Sequence, residues 1–142
     1  MMDLQIGQVL WLKIRFNNYG DISEVEHPYL IVDITTDGIQ TVEVGQIDSL
    51  KPYMLAYKSN KAIFVTRPNE TVLYKDSYIQ LNNKLVIEYF DGLSAFRRTT
   101  NLLSRGRLAD VLKAYKNYHA NNIIDPERSV YLTREEILKY NS

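Results

Sequence analysis

The chain has no cysteine, which excludes disulfides, thiolate catalysis and cysteine-ligated zinc or iron–sulfur sites and fits a reducing compartment. Histidine is nearly as scarce. His27 and His119 are the only two, too few for a histidine-based metal centre, and the expectation is a protein without metal or cofactor. Charge of one sign is also lacking: 17 basic and 17 acidic residues cancel. The long-range electrostatic footprint of a nucleic-acid-coating protein is therefore missing, and any RNA or DNA contact has to be local. No apolar run approaches the roughly 20 residues of a spanning helix. The opening Met1-Met2-Asp3-Leu4-Gln5 lacks the basic segment and apolar run of a secretory signal. These absences predict a soluble, cytoplasmic protein with no membrane partner. A glycine-rich phosphate loop, a Ser-His-Asp signature and metal-ligand spacing are missing too, which weighs against phosphotransferases, serine hydrolases and metalloenzymes.

What is present is enough for one core: 142 residues, 45% of them hydrophobic. A strand-like run from Gln8 to Phe16 alternates, with Leu10, Leu12, Ile14 and Phe16 on one side and Trp11, Lys13 and Arg15 on the other. The first set reads as core. The second is a short row of one aromatic and two cations, a surface suited to an anionic, base-bearing polymer. The polar segment from Asn17 to Glu26 is long for a hairpin connection and is a candidate binding loop. His27-Pro28-Tyr29-Leu30-Ile31-Val32 then opens a nearly continuous apolar strand, expected to be central or buried on both faces, with Pro28 confined to its start. Asp37-Gly38 signals a hairpin into a third strand from about Ile39 to Ile47.

Further along, Ala62 to Thr66 reads as a short strand. The runs Ser77–Leu81 and Lys84–Tyr89 flank Asn82-Asn83 in the manner of a second hairpin. From Ser104 the period becomes helical, with Leu108, Val111, Leu112 and Tyr115 on one stripe. Thr133-Arg134-Glu135-Glu136 has the form of a capping box ahead of a short last helix. The sequence thus predicts an α+β chain: a small SH3-like antiparallel β-barrel or curved sheet with a C-terminal helix and an appended short helical tail. Its expected organisation is a barrel domain with its helix over residues 1–120, and a helical tail over 121–142 on or beside it.

Several features in this order resemble the PemK/MazF-like endoribonuclease toxins of bacterial toxin–antitoxin pairs. They are Gly7-Gln8-Val9-Leu10-Trp11 opening the first strand, His27-Pro28 followed by apolar residues, the Asp76-Ser77-Tyr78-Ile79 strand entry, and Leu103-Ser104-Arg105-Gly106-Arg107-Leu108 leading into a helix. The resemblance spans roughly residues 6 to 118. It implies metal-independent cleavage of single-stranded RNA, the ribose 2′-hydroxyl attacking the adjacent phosphate to leave a cyclic phosphate. It also implies a homodimer and a cognate antitoxin protein as partners. The chain departs from the family where Arg-Pro is usual, since it carries His27-Pro28. A histidine can serve as acid or base near neutral pH but lacks the two-pronged phosphate grip of arginine.

The catalytic residues implied in this way are Arg15, the nearest substitute for the missing phosphate contact, His27, and Ser49, which matches the family's serine or threonine past the third strand. The expected RNA-binding residues are Trp11, Lys13, Arg97, Arg98, Arg105 and Arg107. Each has a plainer reading: a loop histidine, a turn serine, a solvated strand face, or a basic cluster complementing an acidic partner. Asp76 and Asp91 each sit beside a turn signal, so their carboxylates read as turn residues. The rival to a ribonuclease is a non-catalytic barrel of the same fold that binds a protein or nucleic acid, as a regulatory or mobile-element factor.

Overall fold

A computed structural model describes residues 2–49, 63–66 and 77–142. The expected connection around Lys51-Pro52 and the carboxylate of Asp76 lie outside the described residues. The elements in chain order are β1 (Val9–Leu12), β2 (His27–Thr35), β3 (Thr41–Ser49), β4 (Ile63–Thr66), β5 (Ser77–Gln80), β6 (Lys84–Glu88), a 3-10 segment (Asp91–Phe96), α1 (Arg105–Asn121), a 3-10 turn (Pro126–Arg128), β7 (Ser129–Leu132) and α2 (Arg134–Tyr140). The fold is α+β, as the sequence predicts. The strands join in the order β1-β2-β3-β5-β4, while β6 pairs with β3 and β7. Among the described residues no pairing closes this sheet into a ring.

Strand β2 is central, and Tyr29, Leu30, Ile31 and Val32 are all buried, as a continuous apolar run requires of a strand covered on both faces. The pleat sends Tyr29 and Ile31 into one core with Leu10, Leu12, Ile14, Val42, Val44, Leu85 and Ile87. Leu30 and Val32 enter a second core with Val9, Ile47, Ile79 and Leu103 under Val111 and Tyr115 of α1. The expectation of one core face and one free face in β1 is therefore corrected. Trp11 packs at the edge of the second core, because the apolar stripe of α1 needs cover and finds it on that face. Regular pairing in β1 also ends at Leu12, leaving a single bridge between Arg15 and Ile22 beyond it.

The second predicted hairpin is not formed. Strands β5 and β6 do not pair with each other but run in succession along one edge of β3, with Ile79 opposite Ile47 and Leu85 opposite Val44. Nine-residue β3 is long enough to bond both. Asn82-Asn83 falls between them, and there the chain changes side: Ile79 and Leu81 belong to the α1 core, Leu85 and Ile87 to the other.

The C-terminal segment is more than a helical tail. Its strand β7 runs parallel to β6 and places Val130 and Leu132 in the first core, followed by Ile137 from α2. The predicted start of α2 is present: the Thr133 side chain accepts a hydrogen bond from the Glu136 N–H at 3.2 Å. The side chain of Asn141 then pairs with Lys13, accepting from its N–H at 2.8 Å and donating to its carbonyl at 2.9 Å. An amide group thus takes the place of a neighbouring strand beyond the end of β1.

Candidate functional site

The loop between β1 and β2 is built around hydrogen bonds rather than apolar contacts. Asn17 Oδ1 accepts from the N–H groups of Tyr19 and Asp21, and its Nδ2 donates to the Asp21 carboxylate at 2.9 Å. Gly20, at φ +95°, takes the left-handed turn that follows. Ser23 Oγ accepts from the Ile14 N–H at 2.9 Å and donates to the Ile14 carbonyl at 3.1 Å, which pins the returning chain. Asn18 Nδ2 donates to the carbonyls of Pro126 and Ser129 at 2.7 and 2.9 Å, tying the loop to the C-terminal segment.

Two cavities flank this loop. The first, of about 530 Å³, is lined by His27, Tyr29 and Gln46 from the sheet and by Phe16 and residues 21–25 from the loop, among them Glu24. His27 is half-buried at the start of β2 opposite Leu12. Tyr29 lies beneath, and burial pushes its phenol well above the usual value, the nearby Ser23 opposing and the Asp48 charge adding. The second cavity, of about 360 Å³, shares Phe16 and Gln46 and is completed by Asn17, Tyr19, Gln80, Asn83, Asp125, Glu127 and Arg128. A polar chain runs beneath it. Asn83 Nδ2 donates to Gln80 Oε1 at 3.3 Å, and Gln80 and Gln46 donate to Asp48 Oδ2 at 3.1 and 3.2 Å.

Of the sequence-predicted catalytic residues, only His27 lines these cavities. The Arg15 guanidinium is held by Glu136 of α2, with Nε 3.0 Å from Oε2 and Nη2 3.3 Å from Oε1, and also donates to Asn18 Oδ1 and the Tyr131 carbonyl. All of its branches are occupied within the fold. That pairing also holds the Glu136 carboxyl below its usual range. Ser49 ends β3 opposite Ser77, and the pleat assigns it to the face of Ile47, away from Gln46 and Asp48. The structure does not bring Arg15, His27 and Ser49 together around one point.

The basic residues divide similarly. Arg97 Nη1 donates to the Asp3 carbonyl at 2.9 Å and to Gln8 Oε1 at 3.1 Å, a structural role. Arg98 lies over the Trp11 ring, 3.6 Å from its centroid, and reaches Glu26, next to His27, at 3.4 Å. Lys13 is half-buried beside Asn141. Arg105 is exposed and Arg107 half-buried in the first turn of α1, where no acidic residue accompanies them. The partial positive charge of the helix terminus adds to theirs.

The residues that sequence reasoning missed are Glu24, Tyr29, Gln46, Asn83 and Arg128. One signal was available. Along β3 the inward positions Val42 and Val44 are followed in phase by Gln46 and Asp48, so one strand face passes from core to polar lining. Among the described residues no group of three or more His, Asp or Glu side chains is placed to hold a metal ion, and no helix is long and apolar enough to cross a membrane. Compared with known protein families, with curated proteins and with solved structures, the chain matches none.

Proposed function

We propose that the protein is a divergent PemK/MazF-like endoribonuclease that cuts single-stranded RNA through attack of a ribose 2′-hydroxyl, built on an SH3-like barrel and paired with an antitoxin. The observation that carries this reading is the placement of His27 on the wall of an open cavity that Glu24 and Tyr29 also line. In this reading the imidazole removes the 2′-hydroxyl proton, and the attacking oxygen forms the bond to phosphorus as the P–O5′ bond breaks. The departing 5′-oxygen takes a proton from a general acid, for which the cavity offers the Tyr29 phenol and the carboxyl groups of Glu24 and Asp21. Arg98, stacked on Trp11 and joined to the chain before His27 through Glu26, is the cation best disposed to follow the RNA backbone, with Arg105 and Arg107 beyond it. Arg15 serves here as a positioning residue for the loop, since Glu136 occupies its fork. A homodimer and occlusion of the groove by an antitoxin segment belong to the same reading.

That ion pair favours a second reading, a non-catalytic fold that binds RNA or protein with the phosphate grip lost. Incubation of the purified protein with a long single-stranded RNA in EDTA, with fragment ends mapped, separates the two. A ribonuclease gives discrete fragments ending in cyclic phosphate that are lost in His27→Ala. Intact RNA with a folded protein free of co-purified partner overturns the catalytic reading.

A further inference from the structure

We infer that two copies of this chain meet by the β1–β2 loop of each lying across residues 98–105 of the other, which brings Arg105 of the second copy to the mouth of the His27 cavity. The homodimer itself rests on the reading above, while the faces that meet follow from the loop. Ile22 is 43% exposed and Val25 60%, although the loop is already fixed by the hydrogen bonds of Asn17, Asn18 and Ser23. With Phe16 they line the His27 cavity, and Tyr19, 75% exposed, lines the adjoining cavity that shares Phe16. The apolar surface is thus contiguous rather than scattered, as at a surface that a partner covers. The same segment, residues 17–26, carries Asp21, Glu24 and Glu26 and neither lysine nor arginine.

Its complement is in the same chain. Residues 98–105 contain no acidic residue and expose Arg98, Leu102 and Arg105. Neither Glu24 nor Arg105 has an ion-pair partner among the described residues. Arg98 reaches Glu26 at 3.4 Å within one chain, so the basic segment begins where the acidic loop ends. A twofold axis between two such abutting faces lays the loop of each copy on the basic segment of the other, an isologous contact that closes at two. Opposite charges then meet at Glu24 and Arg105, and apolar side chains at Ile22, Val25 and Leu102. The contact also supplies what the site lacks. Among the described residues lining the His27 cavity are carboxylates but no lysine or arginine, and Arg15 is held by Glu136. Charge growing on phosphoryl oxygens calls for a cation, and Arg105 of the second copy is the one that this contact provides.

The test is analytical ultracentrifugation of the purified full chain over a range of concentrations, at low and high salt. The wild type is expected to sediment as a dimer that weakens as salt rises. Glu24→Arg and Arg105→Glu, both at exposed positions, are each expected to weaken self-association about tenfold or more, because each sets like charges together twice in a twofold dimer. An equimolar mixture of the two variants restores both opposite-charge contacts and is expected to recover the dimer. Val25→Ser is expected to weaken the dimer with no change in charge. A monomeric wild type, a dimer indifferent to the single reversals, or a mixture that stays monomeric overturns the inference. Cleavage of RNA by a monomeric wild type defeats it and leaves the ribonuclease reading standing. A dimer that passes these tests but leaves RNA intact does the reverse.

Discussion

At the residue scale, Arg15 shows how one distant partner changes a role. Read along β1 it is an outward cation. In the fold its fork is filled by a carboxylate 121 positions later, and both side chains are about one-quarter exposed or less. A charge-assisted pair of this kind, partly screened by solvent, contributes on the order of 1–2 kcal/mol. Arg15→Ala and Glu136→Ala are each expected to lower stability by about that amount, and the double variant by less than the sum, in urea unfolding. On the proposed ribonuclease reading, RNA cleavage by Arg15→Ala falls only as far as the folded fraction does. A loss of turnover in protein shown to be fully folded would return Arg15 to the phosphate. No periodicity or local spacing links position 15 to position 136, so this part of the site was not legible in the sequence. His27 was, because a histidine before a strand-opening proline stands out locally, although the cavity it lines depends on the loop's path.

At the scale of elements, the legible parts were those whose pattern is self-contained. The apolar run of β2 implied burial on both faces. The stripe Leu108, Val111, Leu112 and Tyr115 implied α1, and Thr133 implied the start of α2. What escaped was pairing. The four residues of β7 are too few to declare a period, and their partner in β6 lies some 45 positions earlier. The Asn82-Asn83 pair has the composition of a turn but acts as a break within one edge, because β3 offers a continuous partner on both sides of it. A consequence is that residues 129–142 are part of the sheet and its core. Truncation after Arg128 removes Val130, Leu132 and Ile137, each 2% exposed or less. Loss of large buried apolar side chains costs about 2–5 kcal/mol apiece. The truncated chain is therefore expected to show no cooperative thermal transition by circular dichroism, where a merely appended tail would leave the melting curve nearly unchanged.

At the scale of the whole molecule, the balance of 17 basic and 17 acidic residues leaves stability against pH to particular groups. His119 stacks on Tyr115, with ring centroids 4.1 Å apart, and burial lowers its pKa. The unfolded chain takes up a proton near the ordinary histidine value of about 6.5 while the folded one resists, so stability declines as pH falls through that region. Glu136, lowered by Arg15, contributes above the usual carboxylate range and loses that contribution at more acidic pH. Urea midpoints measured from pH 7.5 down to 3.5 are expected to fall in two stages. His119→Phe removes the first, and Arg15→Ala diminishes the second. The pairing of Lys13 with Asn141 and of β6 with β7 has a further bearing, on the order of events during synthesis. Lys13, just beyond β1, waits for a partner 128 residues downstream, and long-range closures of this sort slow folding. A ribosome that has not yet made residues 126–132 holds a chain whose sheet is incomplete and whose loop at Asn18 has nothing to fasten to. Any activity that depends on that loop begins only when translation has passed Ser129.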